Sequence, residues 1–108
     1  MTKPRSIRYD PTAVPTGPQD PVNLDFIPDA TTFVGVYSDG GAPSYGVEFT
    51  IDDVNDQDVT PRWFVLKDIP FGSSNSQYAS FSFPAMFVRL NIALFTSPLE
   101  LKISQSTQ

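Results

Sequence analysis

From Val22 onward, apolar and polar side chains alternate repeatedly with a period of two, the signature of strands with one buried face. Val22, Leu24 and Phe26 alternate with Asn23 and Asp25 until Pro28 ends the run. Thr32 to Tyr37 is a second β-rich stretch, with Phe33, Gly35 and Tyr37 on one face and Val34 and Val36 on the other. Ser38-Asp39-Gly40-Gly41 supplies a hairpin turn, because Asp-Gly accepts positive φ. Tyr45, Val47, Phe49 and Ile51 then share a face, and a slip of one residue would expose all four. Further strands are expected at Arg62 to Leu66, Tyr78 to Phe83, Met86 to Leu94 and Leu99 to Ser104. Pro70 to Ser76 reads as a loop with little reason to pack. No segment presents a helical face of ten or more residues. Seven short strands punctuated by turns predict an all-β fold, an antiparallel β-sandwich of small jelly-roll type, over residues 22–108.

The first 21 residues break that pattern. They hold five of the eleven prolines, each fixing its own φ and removing a backbone donor. A helix or central strand is excluded there, and an extended arm of polyproline character is expected for residues 1–21. Within it Ile7-Arg8-Tyr9 is an apolar and aromatic element suited to a surface or a sheet edge. The arm is expected to gain order on meeting a partner.

Charge sharpens the division. Residues 1–9 carry Lys3, Arg5 and Arg8 without an acid, residues 10–61 carry nine Asp and Glu48 without a base, and residues 62–108 are weakly basic. The net charge is −5 over 108 residues. So acidic a body is a poor nucleic-acid binder, since phosphate neutralisation needs many Lys and Arg. No apolar run is long enough to span a bilayer, and no apolar stretch follows the basic opening, so neither a membrane partner nor a secretory signal is expected.

The chain has no Cys and no His, which removes disulfides, thiolate and Ser-His-Asp catalysis, and ordinary zinc sites. The dense acids Asp52, Asp53, Asp56 and Asp58, with Asn55, are the one candidate cation loop. Counted from Asp53 they lack the sixth-position glycine and twelfth-position Glu of an EF-hand, and turn capping explains them as well. Glycoside hydrolysis needs two carboxylates across a cleft, which adjacent loop acids do not supply. The expectation is a non-enzymatic protein with no catalytic residue, metal or cofactor.

Aromatics are abundant: nine Phe, four Tyr and one Trp. Core packing is the default for Phe49, Phe64 and Trp63. Phe33 and Phe87, however, fall on faces opposite other apolar sets, so part of a second face is expected to be buried against another subunit. The candidate interface residues are Lys3, Arg5, Ile7, Arg8 and Tyr9 of the arm, with Phe33 and Phe87 of the domain.

Pro4-Arg5-Ser6-Ile7-Arg8-Tyr9, Thr12 to Pro18, Gly46 to Val54, the pair Trp63-Phe64, and Val88-Arg89-Leu90-Asn91 with Leu99 to Ser104 resemble a group of small virion structural proteins of tailed bacteriophages. Ile51 stands where that group has Phe before two aspartates. The resemblance implies a β-domain and a capsid decoration, or cement, protein on the capsid exterior, assembled in the host cytoplasm. Its implied partners are the major capsid protein and copies of itself as a homo-oligomer. A tail, neck or fibre-attachment component is the alternative within the virion. A glycan- or calcium-dependent adhesion module is the alternative outside it.

Overall fold

The computed structural model describes residues 5–24 and 30–107, and all of their regular structure is β. The strands are β1 (Arg5–Tyr9), β2 (Gly17–Pro18), β3 (Val22–Asn23), β4 (Ala30–Ser38), β5 (Ser44–Thr50), β6 (Phe64–Val65), β7 (Gln77–Phe81), β8 (Phe87–Leu94) and β9 (Leu99–Thr107). They form two antiparallel sheets. Sheet A runs β1-β9-β4-β7 and sheet B runs β2-β8-β5-β6, with β3 also on β8. The expected strand residues Asp25 and Phe26, and Pro28, lie outside the described residues.

The period-two pattern becomes the core directly. Val34 and Val36 from β4, Leu99, Leu101 and Ile103 from β9, and Tyr45, Val47, Val88, Leu90 and Ile92 from sheet B are at most 2% exposed. Burying each such side chain is worth roughly 1.5–3 kcal/mol. Register keeps them in layers: Val36 pairs with Leu101 and Val34 with Ile103 in sheet A, and Val47 pairs with Leu90 and Tyr45 with Ile92 in sheet B.

Apart from a turn at residues 11–14, residues 5–24 are extended, as their prolines favour, but they pack on their own chain. β1 pairs with β9 over five residues, from Arg5 opposite Ile103 to Tyr9 opposite Leu99. Asp10 then caps a turn, its carbonyl accepting from Ala13 and Val14 N–H and its carboxylate from Thr12 N–H. Past that turn the chain crosses to sheet B and follows β8: Gly17 lies opposite Ile92, Gln19 N–H reaches Leu90 O, and Val22 lies opposite Val88. Pro18 and Pro21 have no N–H to give, so the strand is interrupted between β2 and β3. The expected boundary at residue 21 therefore does not separate an arm from the sheets.

Three local expectations are corrected. Ile51 was to share the buried face of β5, but the strand ends at Thr50, whose hydroxyl accepts Asp52 N–H, and Ile51 faces solvent. Phe64, expected in the core, sits on the short strand β6 and is half-exposed, with one face stacked on Phe49 at 5.6 Å between ring centres. Pro70 to Ser76 is a mostly exposed loop, but it is tied to sheet B: Ser73 is buried and exchanges two backbone hydrogen bonds with Tyr45.

The same segment explains Gly46. A Cβ there would stand 2.8 Å from Phe71 Cδ1 and 2.9 Å from Phe71 N, so the ring and backbone of Phe71 occupy the space a side chain would need. Gly46→Ala is expected to lower stability by about 1–3 kcal/mol through overpacking. Urea unfolding followed by Trp63 fluorescence checks this; an unchanged midpoint would show that the 66–73 segment yields freely.

Candidate docking face

The two sheets treat their outward positions in opposite ways. On sheet B, Gly46, Glu48 and Thr50 of β5 and Phe87 of β8 point away from the core, yet all are buried. Glu48 accepts hydrogen bonds from Arg89 Nε at 2.9 Å and Asn91 Nδ2 at 3.2 Å, and the Arg89 guanidinium lies 4.0 Å from the Trp63 ring centre. Trp63 thus covers an ion pair as a cation–π lid. With Phe71 seated on Gly46, the connections between β5 and β7 close this side. Phe87, expected on a face free for a subunit, is corrected to a residue enclosed by its own chain, opposite Thr50 and Asn23.

Among the described residues sheet A has no such cover. Its outward positions are Ser6 and Arg8 on β1, Glu100, Lys102 and Ser104 on β9, Phe33, Gly35 and Tyr37 on β4, and Tyr78 and Ser80 on β7. Phe33 is 47% exposed, Tyr37 57% and Tyr78 83%, values that belong to surface rather than core. Gly35 stands at the centre, paired with Tyr78 on one side and Lys102 on the other. Its missing side chain leaves a floor between larger neighbours. Two shallow hollows of about 270 and 260 Å³ meet over it, one bounded by Tyr37 and Tyr78, the other by Phe33 and Tyr78, with Lys102 at the rim of both.

The face is divided chemically. Its β4 and β7 half is aromatic with small hydroxyl residues. Its β9 and β1 half is charged: Lys102 Nζ lies 3.2 Å from Glu100 Oε1, and Arg8 pairs in register with Glu100. The Glu100 carboxyl is held below the ordinary carboxylate range by a hydrogen bond from Ser6, then by one from Lys102 and by the nearby positive charges. Such exposed pairs add little stability but fix a charge pattern on the surface.

The structure separates the sequence-derived candidates. Arg8 and Phe33 lie on this face. Arg5 is committed within the chain, donating to Asn23 O of sheet B and, at 3.5 Å, to Gln105 Oε1 of sheet A. Ile7 is half-buried against the core and Tyr9 is buried. Lys3 lies outside the described residues. Tyr78 and Lys102 were not singled out from sequence, although alternation with buried Ala79, Phe81, Leu101 and Ile103 marks both as outward.

Asp52 to Asp58 uses its carboxylates on its own turns: Asp53 accepts from Asn55 N–H, Asp56 from Asp58 N–H, and Asp52 from Arg62 N–H, at 2.8–2.9 Å. Among the described residues no three acids converge on a point where a cation would sit. A comparison with family models, curated proteins and solved structures finds no match to this chain.

Two phenols give the fold a pH signature. Burial, reinforced at Tyr9 by the Asp20 charge, pushes Tyr9 up to about 12, and burial pushes Tyr45 up to about 12, from the ordinary 10.0. Both folded values exceed the unfolded one, so their contribution is complete below pH 10 and is lost as pH climbs towards about 12. The urea midpoint is expected to fall across that window, and less steeply in Tyr9→Phe. An identical slope in the variant would show that Tyr9 ionises as freely folded as unfolded.

Proposed function

We propose that this chain is a virion structural protein of a tailed phage, a small jelly-roll domain that decorates the capsid exterior and docks sheet A on the major capsid protein. The observation that carries the reading is the contrast between the two outer faces. One is closed by the 26 residues 51–76 that connect β5 and β7, while the other is a four-stranded surface with three exposed aromatic rings. Exposed apolar surface of that kind marks an interaction site. Resemblance to small phage virion proteins supplies the particle. The strand order supports the jelly-roll assignment: the chain passes repeatedly from one sheet to the other, and the N-terminal strands lie beside the C-terminal ones.

The mechanism is adhesion. Phe33, Tyr37 and Tyr78 supply rigid rings that lose little conformational freedom on docking. Arg8, Lys102 and Glu100 border them as a charged rim, which governs orientation and salt dependence more than affinity. Repeated over a shell, individually modest contacts add through multivalency. Residues 5–24 stiffen the domain, and the clamp is the sheet face. A neck or tail ring would use the same face at lower copy number. A glycan-binding reading draws support from one feature, the two tyrosines flanking the Gly35 hollow, where a sugar ring could stack.

Undecorated parent shells incubated with the protein test the proposal. Phe33→Ser combined with Tyr78→Ser is expected to weaken shell binding about tenfold or more, and Arg8→Ala to reduce its salt sensitivity. Wild-type occupancy by the double variant would overturn the role of the face. Cryo-electron microscopy separates stations: copy numbers in the hundreds fit decoration, and about six to a few tens fit a neck or tail. Saturable oligosaccharide binding without shell binding would replace the capsid reading with the glycan one.

A further inference from the structure

Sheet A ends in two edges of different character. At the β1 edge, Arg5 and Arg8 stand within the strand and Pro11 follows it, the charges and prolines that deter strand addition. β7 has none of these. It lies within the longest uncharged stretch of the chain, the twenty residues 69–88, and Gln77–Phe81 contains neither charge nor proline. Among the described residues its ladder runs only to β4, and no further backbone hydrogen bond is made from Gln77 to Phe81.

An independent feature lies on the same side. Phe64, Phe49, Phe81 and Phe83 form a continuous row of rings, with successive contacts at 5.6, 6.3 and 4.5 Å, and with Phe83 also 4.7 Å from Phe49. This row runs from β6, the free edge of sheet B, to β7, the free edge of sheet A. Its two ends, Phe64 and Phe83, are the exposed members, at 50% and 42%. An uncharged strand edge and a half-open aromatic row thus adjoin.

We infer that β7 is a strand-addition edge for a second copy of this chain, joining two copies across a two-fold axis through antiparallel β7–β7 pairing. Centred on Ala79, the pairing sets Tyr78 of one copy opposite Ser80 of the other. Both outer faces stay on the same side, so two four-stranded sheets become one of eight with the order β1-β9-β4-β7-β7-β4-β9-β1. The aromatic halves meet in the middle and the charged halves lie at the two ends, which is the apolar centre and polar rim of a protein interface. Charge selects the occupant. The chain carries −5, and residues 10–61 alone carry −10, so two copies repel over most approaches. At β7 the like-with-like pairing brings no charge against another. Main-chain bonds supply the affinity and the bordering rings exclude water.

The pairing stands apart from the virion reading, because it is measured on purified protein without shells. Sedimentation equilibrium of the full chain is expected to show a monomer–dimer equilibrium. Tyr78→Lys with Ser80→Lys places lysines directly opposite each other and is expected to weaken dimerisation by about tenfold or more. Both side chains are exposed, so an unchanged thermal midpoint confirms folding; if the double variant does not fold, Ser80→Lys alone takes its place. Phe33→Ser with Tyr37→Ser, on the same face but off the edge, is expected to leave dimerisation intact. Amide exchange of residues 77–81 is expected to slow as concentration rises. A monomer up to about 500 μM, a dimer indifferent to the edge lysines, or unchanged exchange at 77–81 would each overturn the inference.

Discussion

The ladder between β4 and β9 organises the rest of the molecule. Nine consecutive pairs, from Ala30 opposite Thr107 to Ser38 opposite Leu99, join the first long strand to the last. β1 is added to the outer edge of β9 and β7 to that of β4, so sheet A exists only once the chain's end has returned to its beginning. The register sets both faces together. It aligns Val34 with Ile103 and Val36 with Leu101 inward, and Phe33 with Ser104 and Gly35 with Lys102 outward. A one-residue slip would exchange core and surface throughout the sheet. Closing a loop from Ser38 to Leu99 carries an entropic cost that sequence-local contacts avoid, and the nine pairs of the ladder offset it.

Connection lengths give the asymmetry of the faces a physical origin. Sheet B receives its cover from a long local connection: the segment between β5 and β7 needs only to fold back over β5, where Leu66 N–H reaches Val47 O and Val47 N–H reaches Ile69 O. The polar groups it encloses are satisfied in place, with Glu48 held by Arg89 and Asn91, which removes most of the penalty of burying a carboxylate. The turn from β4 to β5 is short by contrast. It bends at Gly40 and Gly41, both at positive φ, and at Ala42, and it leaves no chain to lie across sheet A. The bare face follows from connection lengths as much as from its side chains.

Alternation made the fold class and most strands legible, because every second side chain of the long strands enters the core between the sheets and period two reports that directly. It also placed Phe33, Gly35 and Tyr37 on a common side. Position within the fold was not legible. Phe33 and Phe87 look alike in sequence, each opposite an apolar set, and they part only because one sheet is covered and the other is not. The opening segment reads as an arm because its prolines forbid a central strand; the same chemistry permits an edge strand, and Ile7 and Tyr9 use β9 as the surface on which they dock. Phe64 and Ile51 show the limit of alternation at strand ends, where a turn begins before the pattern stops.

The prolines then acquire a structural meaning beyond extension. Along β8 they break the incoming chain into β2 and β3, so that this edge offers no long ladder of free donors; beyond β1, Pro11 ends the strand at the capped turn of Asp10. Three of the four sheet margins are thereby blunted or brief: β1 by charge and proline, β2 and β3 by proline, and β6 by its two-residue length. Among the described margins only β7 offers five residues without a charge, a proline or an interruption. A fold that protects its other margins in three different ways, and leaves one open beside half-exposed rings, directs association to that margin. The bare face of sheet A runs up to the same edge, so whatever extends the sheet there also extends the surface presented to a larger partner.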